Sequence, residues 1–416
     1  MQNTSLEWKQ TLGCYDYADR PNFVPQSAVE IEYKINDPAA QNAASASDNG
    51  HEDYANTAQI VNELDKNYPK YTTLEQNMWV LDNTTELIPE NITGDTGYVG
   101  NILSGADRSY APQPIITISF GSVFSTTIPG ITIIWSEAYN EWACDFTVTA
   151  FNGSAVVATK SVTNNTEVVS FVEQEITGYD KIEITIEKWC LPFRRPRVEE
   201  IFVGAVKIYT RSDLLGFELS QQVDLTSNEL PTAEVVFDLD NTNGVWNPHN
   251  PQGFIKYLLQ RQEITVRIGF NINGEMEWIK GGTYWMSEWE TPLNGISAKF
   301  TARDLLEFMF GKFNTTGITS ITLYDLAVKA FQQSNIPTQS DGSVRWIIDD
   351  SLKNTTITMP SGFDHTCAET VQLCANAAMC IMYQDRNGVM HVEPLNTTTT
   401  DYLIDEFVSW SGEVGI

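Results

Sequence analysis

LLGFELSQQVDLTSNELPTAEVVFDLDN (Leu214–Asn241), FIKYLLQRQEITVRIGFNINGEMEWIKGGTYWMSEWE (Phe254–Glu290) and NGISAKFTARDLLEFMFG (Asn294–Gly311) form the stretch that decides the fold. Ala233–Leu239 and Glu263–Phe270 alternate apolar and polar residues with a period of two, the pattern of half-buried strands. Asn271–Gly274 and Asn294–Gly295 supply the residues that hairpins use at positive φ. Asp240–Gly253, rich in Asn, Pro and Gly, reads as a loop. Gly281-Gly282 reads as the end of one strand and the start of another, Thr283–Trp289. Short strands at this spacing predict a sandwich or small barrel.

The order of these elements resembles the barrel domain of phage tail hub and tail-tip proteins. The resemblance rests on Val266-Arg267-Ile268-Gly269 before a hairpin, a Gly-rich step, and the Ala302-Arg303-Asp304 corner that opens a short helix. It spans roughly Tyr209 to Pro394. It implies a structural, non-enzymatic subunit that assembles on itself as a homotrimer around a tail axis, with Val266, Gly269, Trp285, Trp289 and Asp304 in the assembling region. The implied partners are tail-tube, distal-tail or baseplate proteins, and the implied location is the tip of a virion tail.

At 416 residues the chain exceeds one ordinary core, and about two to four domains are expected. A formal net charge of −29 disfavours phosphate-backbone binding to nucleic acid or anionic membrane. It suits either plain solubility or an acidic conduit through which DNA passes without sticking. No apolar run approaches the ~18 residues of a membrane span, and the N-terminus lacks the pattern of a signal peptide. The scattered cysteines predict buried free thiols rather than a disulfide framework.

Residues 88–205 carry short alternating runs: Pro114–Phe120, Gly130–Trp135, Asp145–Phe151, Ala155–Val162, Val168–Glu173, Tyr179–Trp189 and Arg197–Val203. Strand number and spacing predict a jelly-roll β-sandwich. GITIIWSEAYNEW (Gly130–Trp142) and KIEITIEKWCLPFRRPRVEEIFVG (Lys181–Gly204) resemble the discoidin-like, galactose-binding type of sandwich. Trp135, Tyr139 and Trp142 offer aromatic faces for a sugar ring, and Arg194, Arg195 and Arg197 offer forked donors. The competing reading packs Trp135 in the core and pairs the arginines with Glu199 and Glu200.

The fold expected is mainly β with a smaller α+β part. Residues 1–87 form an N-terminal segment that either stands apart or completes the barrel, in which case the sandwich is an insertion. A sandwich (88–205), a barrel (206–312) and a small α+β unit (313–395) follow. Asn36–Asn49 reads as a linker or mobile loop, Tyr54–Asn67 as an amphipathic helix, and Tyr71–Asn83 as a turn and a strand burying Trp79. In the α+β unit, Thr322 and Thr366 have capping-box form, each opening a helix, and a hairpin turns at Asn387-Gly388. Residues 396–416 read as the start of a further element, which suggests either a longer natural chain or continuation into a partner.

None of the four histidines lies in a nucleophile, zincin or phosphate-loop pattern. His365, Cys367, Cys374, Cys380 and His391 lack paired zinc-knuckle spacing, so neither a metal nor another cofactor is expected. Acidic neighbours such as Glu199-Glu200 and Asp349-Asp350 are what an acidic chain produces by chance, although a cell-wall-degrading glycosidase needs such pairs. Two functional readings therefore accompany the structural one: a carbohydrate-binding adhesin acting through the sandwich on host glycans, and a tail enzyme.

Overall fold

The computed structural model describes residues 27–61, 70–73, 75, 78, 85–86, 96–222, 229–272, 275–291, 295–339 and 343–394. The chain is mostly β, with few and short helices.

A seven-stranded antiparallel sheet runs in the order Gly204–Tyr209, Ser27–Asn36, Glu263–Ile272, Glu275–Glu290, Ser297–Arg303, Thr232–Asp240, Leu214–Gln222. Its two outer strands are consecutive in the chain and are joined by the short turn Thr210–Asp213, where Asp213 N–H donates to Thr210 O at 2.9 Å. The sheet must therefore curl until its edges meet at that turn, which makes it a barrel with an open seam. One face of every strand fills it. Ile31, Tyr33, Val235, Phe237, Ile264, Val266, Tyr284, Met286 and Phe300 are fully buried there. Burial of this kind contributes roughly 1.5–3 kcal/mol per large apolar side chain.

Gly281-Gly282 does not divide two strands. Glu275–Glu290 is continuous, and its register against Glu263–Ile272 slips by one residue there, from Arg267 opposite Lys280 to Val266 opposite Gly282. The slip is a bulge, and Gly282 takes φ 154°, a conformation that favours glycine. Asn294 and residues 273–274 of the expected hairpin turns lie outside the described residues.

The Ser27–Asn36 strand completes the barrel from the far side of the sandwich. Asn36, where the chain leaves it, sits directly opposite Gly204, where the chain returns. The sandwich is thus inserted between two neighbouring barrel strands. Its five-stranded sheet runs Ser45–Asp48, Ile115–Phe124, Tyr179–Trp189, Ala143–Asn152, Ala155–Val162, and its three-stranded sheet runs Val169–Ile176, Ile128–Ile134, Glu200–Phe202. Between them lies a core containing Ile116, Ile131, Ile133, Phe146, Ile184 and Trp189.

The stretch read as a linker is ordered. Pro38–Ala43 is a helix whose N-cap, Asp37, accepts from Ala39 N–H at 2.9 Å. Ser45–Asp48 then adds an edge strand to the sandwich. Gln41 ties this segment down, donating to Val61 O at 3.1 Å and accepting from Val203 N–H at 2.8 Å. The small residues that suggested a linker are what lets this helix lie close against the sheet, with Ala40 fully buried. Of the expected 54–67 helix, Thr57–Val61 is a 3-10 turn, with Ile60 and Val61 in the sandwich core. Trp79 lies outside the described residues.

In the α+β unit the helices are Leu323–Gln333 and Cys367–Ala377, capped by Thr322 and by a full Thr366/Glu369 capping box. Its sheet runs Trp346–Ile348, Met390–Pro394, Cys380–Gln384, the first pair parallel. Gln384 docks the unit on the barrel: it accepts from Leu305 N–H at 2.8 Å and donates to Thr283 O at 2.9 Å.

Candidate functional site

The aromatic and arginine residues singled out for sugar recognition do gather at one end of the sandwich. Trp135, Arg194 and Arg197 are buried, and Tyr139, Trp142 and Arg195 are half-buried. Trp135 is fully buried, edge-on to Phe146 and Trp189 with ring centroids 4.9 and 6.0 Å away, and its Nε1–H donates to Ser170 Oγ at 2.9 Å. It has no face to offer a ligand. Trp142 is half-buried, with its Nε1–H donating to Asn165 O at 2.9 Å.

The arginines find acids other than Glu199 and Glu200. Arg194 Nε donates to Glu141 Oε1 at 2.8 Å, and the other oxygen of Glu141 accepts from Trp189 Nε1 at 2.8 Å. Arg197 grips Glu75 with both terminal nitrogens, one at 3.1 Å, and lies 4.6 Å over the Tyr139 ring. The Tyr139 hydroxyl bonds to the backbone of Tyr71, accepting from its N–H at 2.7 Å. Arg195 meets Glu52 at 2.6 Å. Burial works to raise the Glu75 pKa, but Arg197 overrides it and holds the carboxyl below its usual range. Glu199 is pushed up to about 7 by burial, a shift that an N–H from Ala138 at 3.3 Å only partly offsets. The network ties these loops together around a small pocket of about 30 Å³ lined by Tyr139, Arg197 and Glu199 among others.

What these loops expose was not singled out in the sequence. Leu103, Leu191 and Phe193 are 44, 43 and 39% exposed on loops tied together through Ser104. They are held by Ser104, whose N–H donates to Arg194 O and whose hydroxyl donates to Leu191 O, at 2.9 and 3.0 Å. Phe193 has φ 57°, an uncommon conformation for a bulky residue. The available signal was the apolar Leu191-Pro192-Phe193 run placed in a turn.

Of the residues assigned to assembly, Val266, Trp285 and Asp304 are internal. Val266 and Trp285 are buried, Gly269 sits where a Cβ would meet the Trp278 ring at 2.7 Å, and Trp289 packs half-buried on the barrel core. Asp304 caps the Leu305–Phe308 turn, accepting from Leu306 N–H at 3.0 Å and Ala233 N–H at 3.2 Å. Burial outweighs these bonds and raises its pKa to about 7. Exposed apolar residues of the barrel include Ile208 (55%) and Leu215 (59%), on the two strands that flank the seam, together with Trp278 beside Gly269 and Ile296.

No protein-family model and no curated protein sequence matches the chain. Among solved structures it is similar to the lectin domain of lectinolysin complexed with Lewis b antigen, at 11% identity over 39% of this chain and 94% of that one, TM-score 0.24. It is also similar to the family 32 carbohydrate-binding module of C. perfringens NanJ in complex with galactose, at 16% identity over 43% of this chain and 99% of that one, TM-score 0.25. A third is the 43 kDa tail protein of prophage MuSo2 from Shewanella oneidensis, at 16% identity, TM-score 0.27, covering 45% of this chain and about half (52%) of that one. Similarities at this level carry no argument about what this chain does.

Proposed function

We propose that the chain is a structural, non-catalytic component of a phage-type tail tip or baseplate hub, with the barrel as its assembling part and the sandwich as an outward arm. The observation that carries this reading is the barrel's open seam. Two edge strands meet there without a further ladder partner among the described residues, and each presents an exposed apolar residue, Ile208 or Leu215. Unpaired strand edges with apolar residues are surfaces that pair with another chain. The element order, with its Ala302-Arg303-Asp304 corner and the α+β unit after it, supports the hub resemblance, and that resemblance makes the partner further copies of the same chain in a ring. The arm would present Leu103, Leu191 and Phe193 to a neighbouring protein or the host surface.

Electron micrographs of the purified chain, alone and with tail-tube protein, test this. A threefold or sixfold ring around an open channel is expected, lost in a Leu215→Glu/Ile208→Glu variant. Dispersed monomers with and without the tube would overturn it.

A further inference from the structure

A cleft of about 750 Å³ opens where the inserted sandwich, the barrel and the α+β unit meet. Its walls come from the Asn36–Ala46 segment, from Leu259–Arg261 and Trp285 of the barrel, and from Phe308, Pro337–Gln339 and Arg345. The volume falls inside the ~300–1,000 Å³ range of ligand sites. Two guanidinium groups line it, each backed by an aromatic ring. Arg345 lies 5.5 Å over Trp285, and Arg261 lies 4.8 Å over Phe308.

Arg261 is exposed and has φ 68°, a left-handed conformation uncommon for a non-glycine residue. Its backbone N–H is held in that conformation by Met286 O at 2.7 Å. Asn36, which lines the cleft and is 93% buried (relative exposure 7%), keeps an Oδ1 with no hydrogen-bond partner. Asn42, Gln260 and Asn335 add exposed amides to the lining.

From this set we infer that the cleft binds a carboxylate-bearing oligosaccharide. Amide side chains both donate and accept, as sugar hydroxyls do, and guanidinium forks match carboxylates. The rings behind the arginines are covered on those faces, so recognition runs through charge and hydrogen bonds rather than stacking. That excludes a neutral sugar as the preferred ligand. Charge within the site is balanced in favour of a carboxylate. Glu263 is 2.8 Å from Lys34 and 3.6 Å from Arg345, and although burial works to raise its pKa, these two cations hold the carboxyl below its ordinary value. Asp37 is occupied in capping its helix. Arg261 is then left to receive the ligand carboxylate, donating otherwise only a long bond to Glu307 O at 3.4 Å.

The test is calorimetric titration of the intact chain with tetragalacturonate, with maltotetraose as the neutral match and a Glu/Asp-rich hexapeptide as the third arm. Tetragalacturonate should bind, weaken with added salt, and weaken about tenfold or more in Arg261→Gln, since one charge-assisted bond is lost. Asn42→Trp, which fills the cleft without touching its ion pairs, should remove binding at an unchanged melting temperature. No binding, equal binding of maltotetraose, unchanged affinity in Arg261→Gln, or tighter binding of the hexapeptide would each overturn the assignment. The inference is independent of ring assembly, which the micrographs test separately.

Discussion

The barrel and the sandwich solve the same problem, burying alternate residues of short strands, with opposite use of sequence. All but one of the sandwich's main strands lie in one contiguous run from Ile115 to Phe202. The barrel reaches across the whole of that run to recruit Ser27–Asn36, whose Ile31 pairs with Val266. Polar chemistry differs too. The sandwich end buries two full ion pairs, Glu141–Arg194 and Glu75–Arg197, whereas the barrel's pair, Lys34–Glu263, alternates with the inward-facing Tyr33, Ile35 and Ile264, and the barrel core is apolar apart from neutral contacts such as Tyr33 O–H donating to Gln262 Oε1 at 2.8 Å. The sandwich's loops therefore depend on charge and the barrel on packing, and mutations separate the two.

The largest expected effect is Trp135→Ala in the sandwich. Loss of a fully buried indole and of its bond to Ser170 should cost about 3–5 kcal/mol in chemical denaturation, in a transition distinct from that of the barrel. Next comes Arg197→Met, which strands the buried Glu75 carboxylate and should cost about 3 kcal/mol. The double variant Glu75→Leu/Arg197→Met should recover most of that loss, because the penalty lies in the unpaired charge rather than in the absence of the pair. If the double variant is as unstable as the single one, the loops rest on the pair itself and the comparison with the barrel needs revising.

That difference also explains what was legible. The strands from Ile115 to Trp189 stood out because alternation is local, and the helices at Leu323 and Cys367 because their caps, Thr322 and Thr366, lie three residues from the amides they bond. The place of Ser27–Asn36 was open because alternation marks a strand without naming its partner. The acids that neutralise Arg194 and Arg197 lie 53 and 122 positions away, beyond any spacing rule, while Glu199 and Glu200 were merely near in sequence. The helix at Pro38–Ala43 was hidden by a composition shared with linkers. For the binding residues the lesson is similar: aromatic and arginine types were found, but only packing shows that Trp135 and Arg194 face inward.

A smaller effect is pH dependence. Asp304 in the barrel and Glu199 in the sandwich, each with a folded pKa of about 7, bind protons more tightly than in the unfolded chain. The stability they contribute is present below about pH 4 and is lost as pH rises to about 7. Glu75 and Glu263, held low, act the other way and lose their contribution as pH falls below about 4. Melting temperature should therefore peak near about pH 5 and decline toward pH 8. A flat profile from pH 5 to 8 would contradict the burial of Asp304 and Glu199. The smallest effect is Asp37→Ala, which removes the cap of the Pro38–Ala43 helix and should cost about 1 kcal/mol, registered by the sandwich transition and not the barrel's.

Native-state hydrogen exchange on the intact Trp135→Ala variant tests the inserted arrangement most directly. With the sandwich weakened, amides at Ile131, Phe146 and Ile184 should exchange faster, while those at Ile31, Tyr33 and Ile35 stay as protected as Ile264 and Val266. If Ile31–Ile35 lose protection together with the sandwich, the Ser27–Asn36 strand belongs to that unit, and the account of a barrel carrying an inserted arm is wrong.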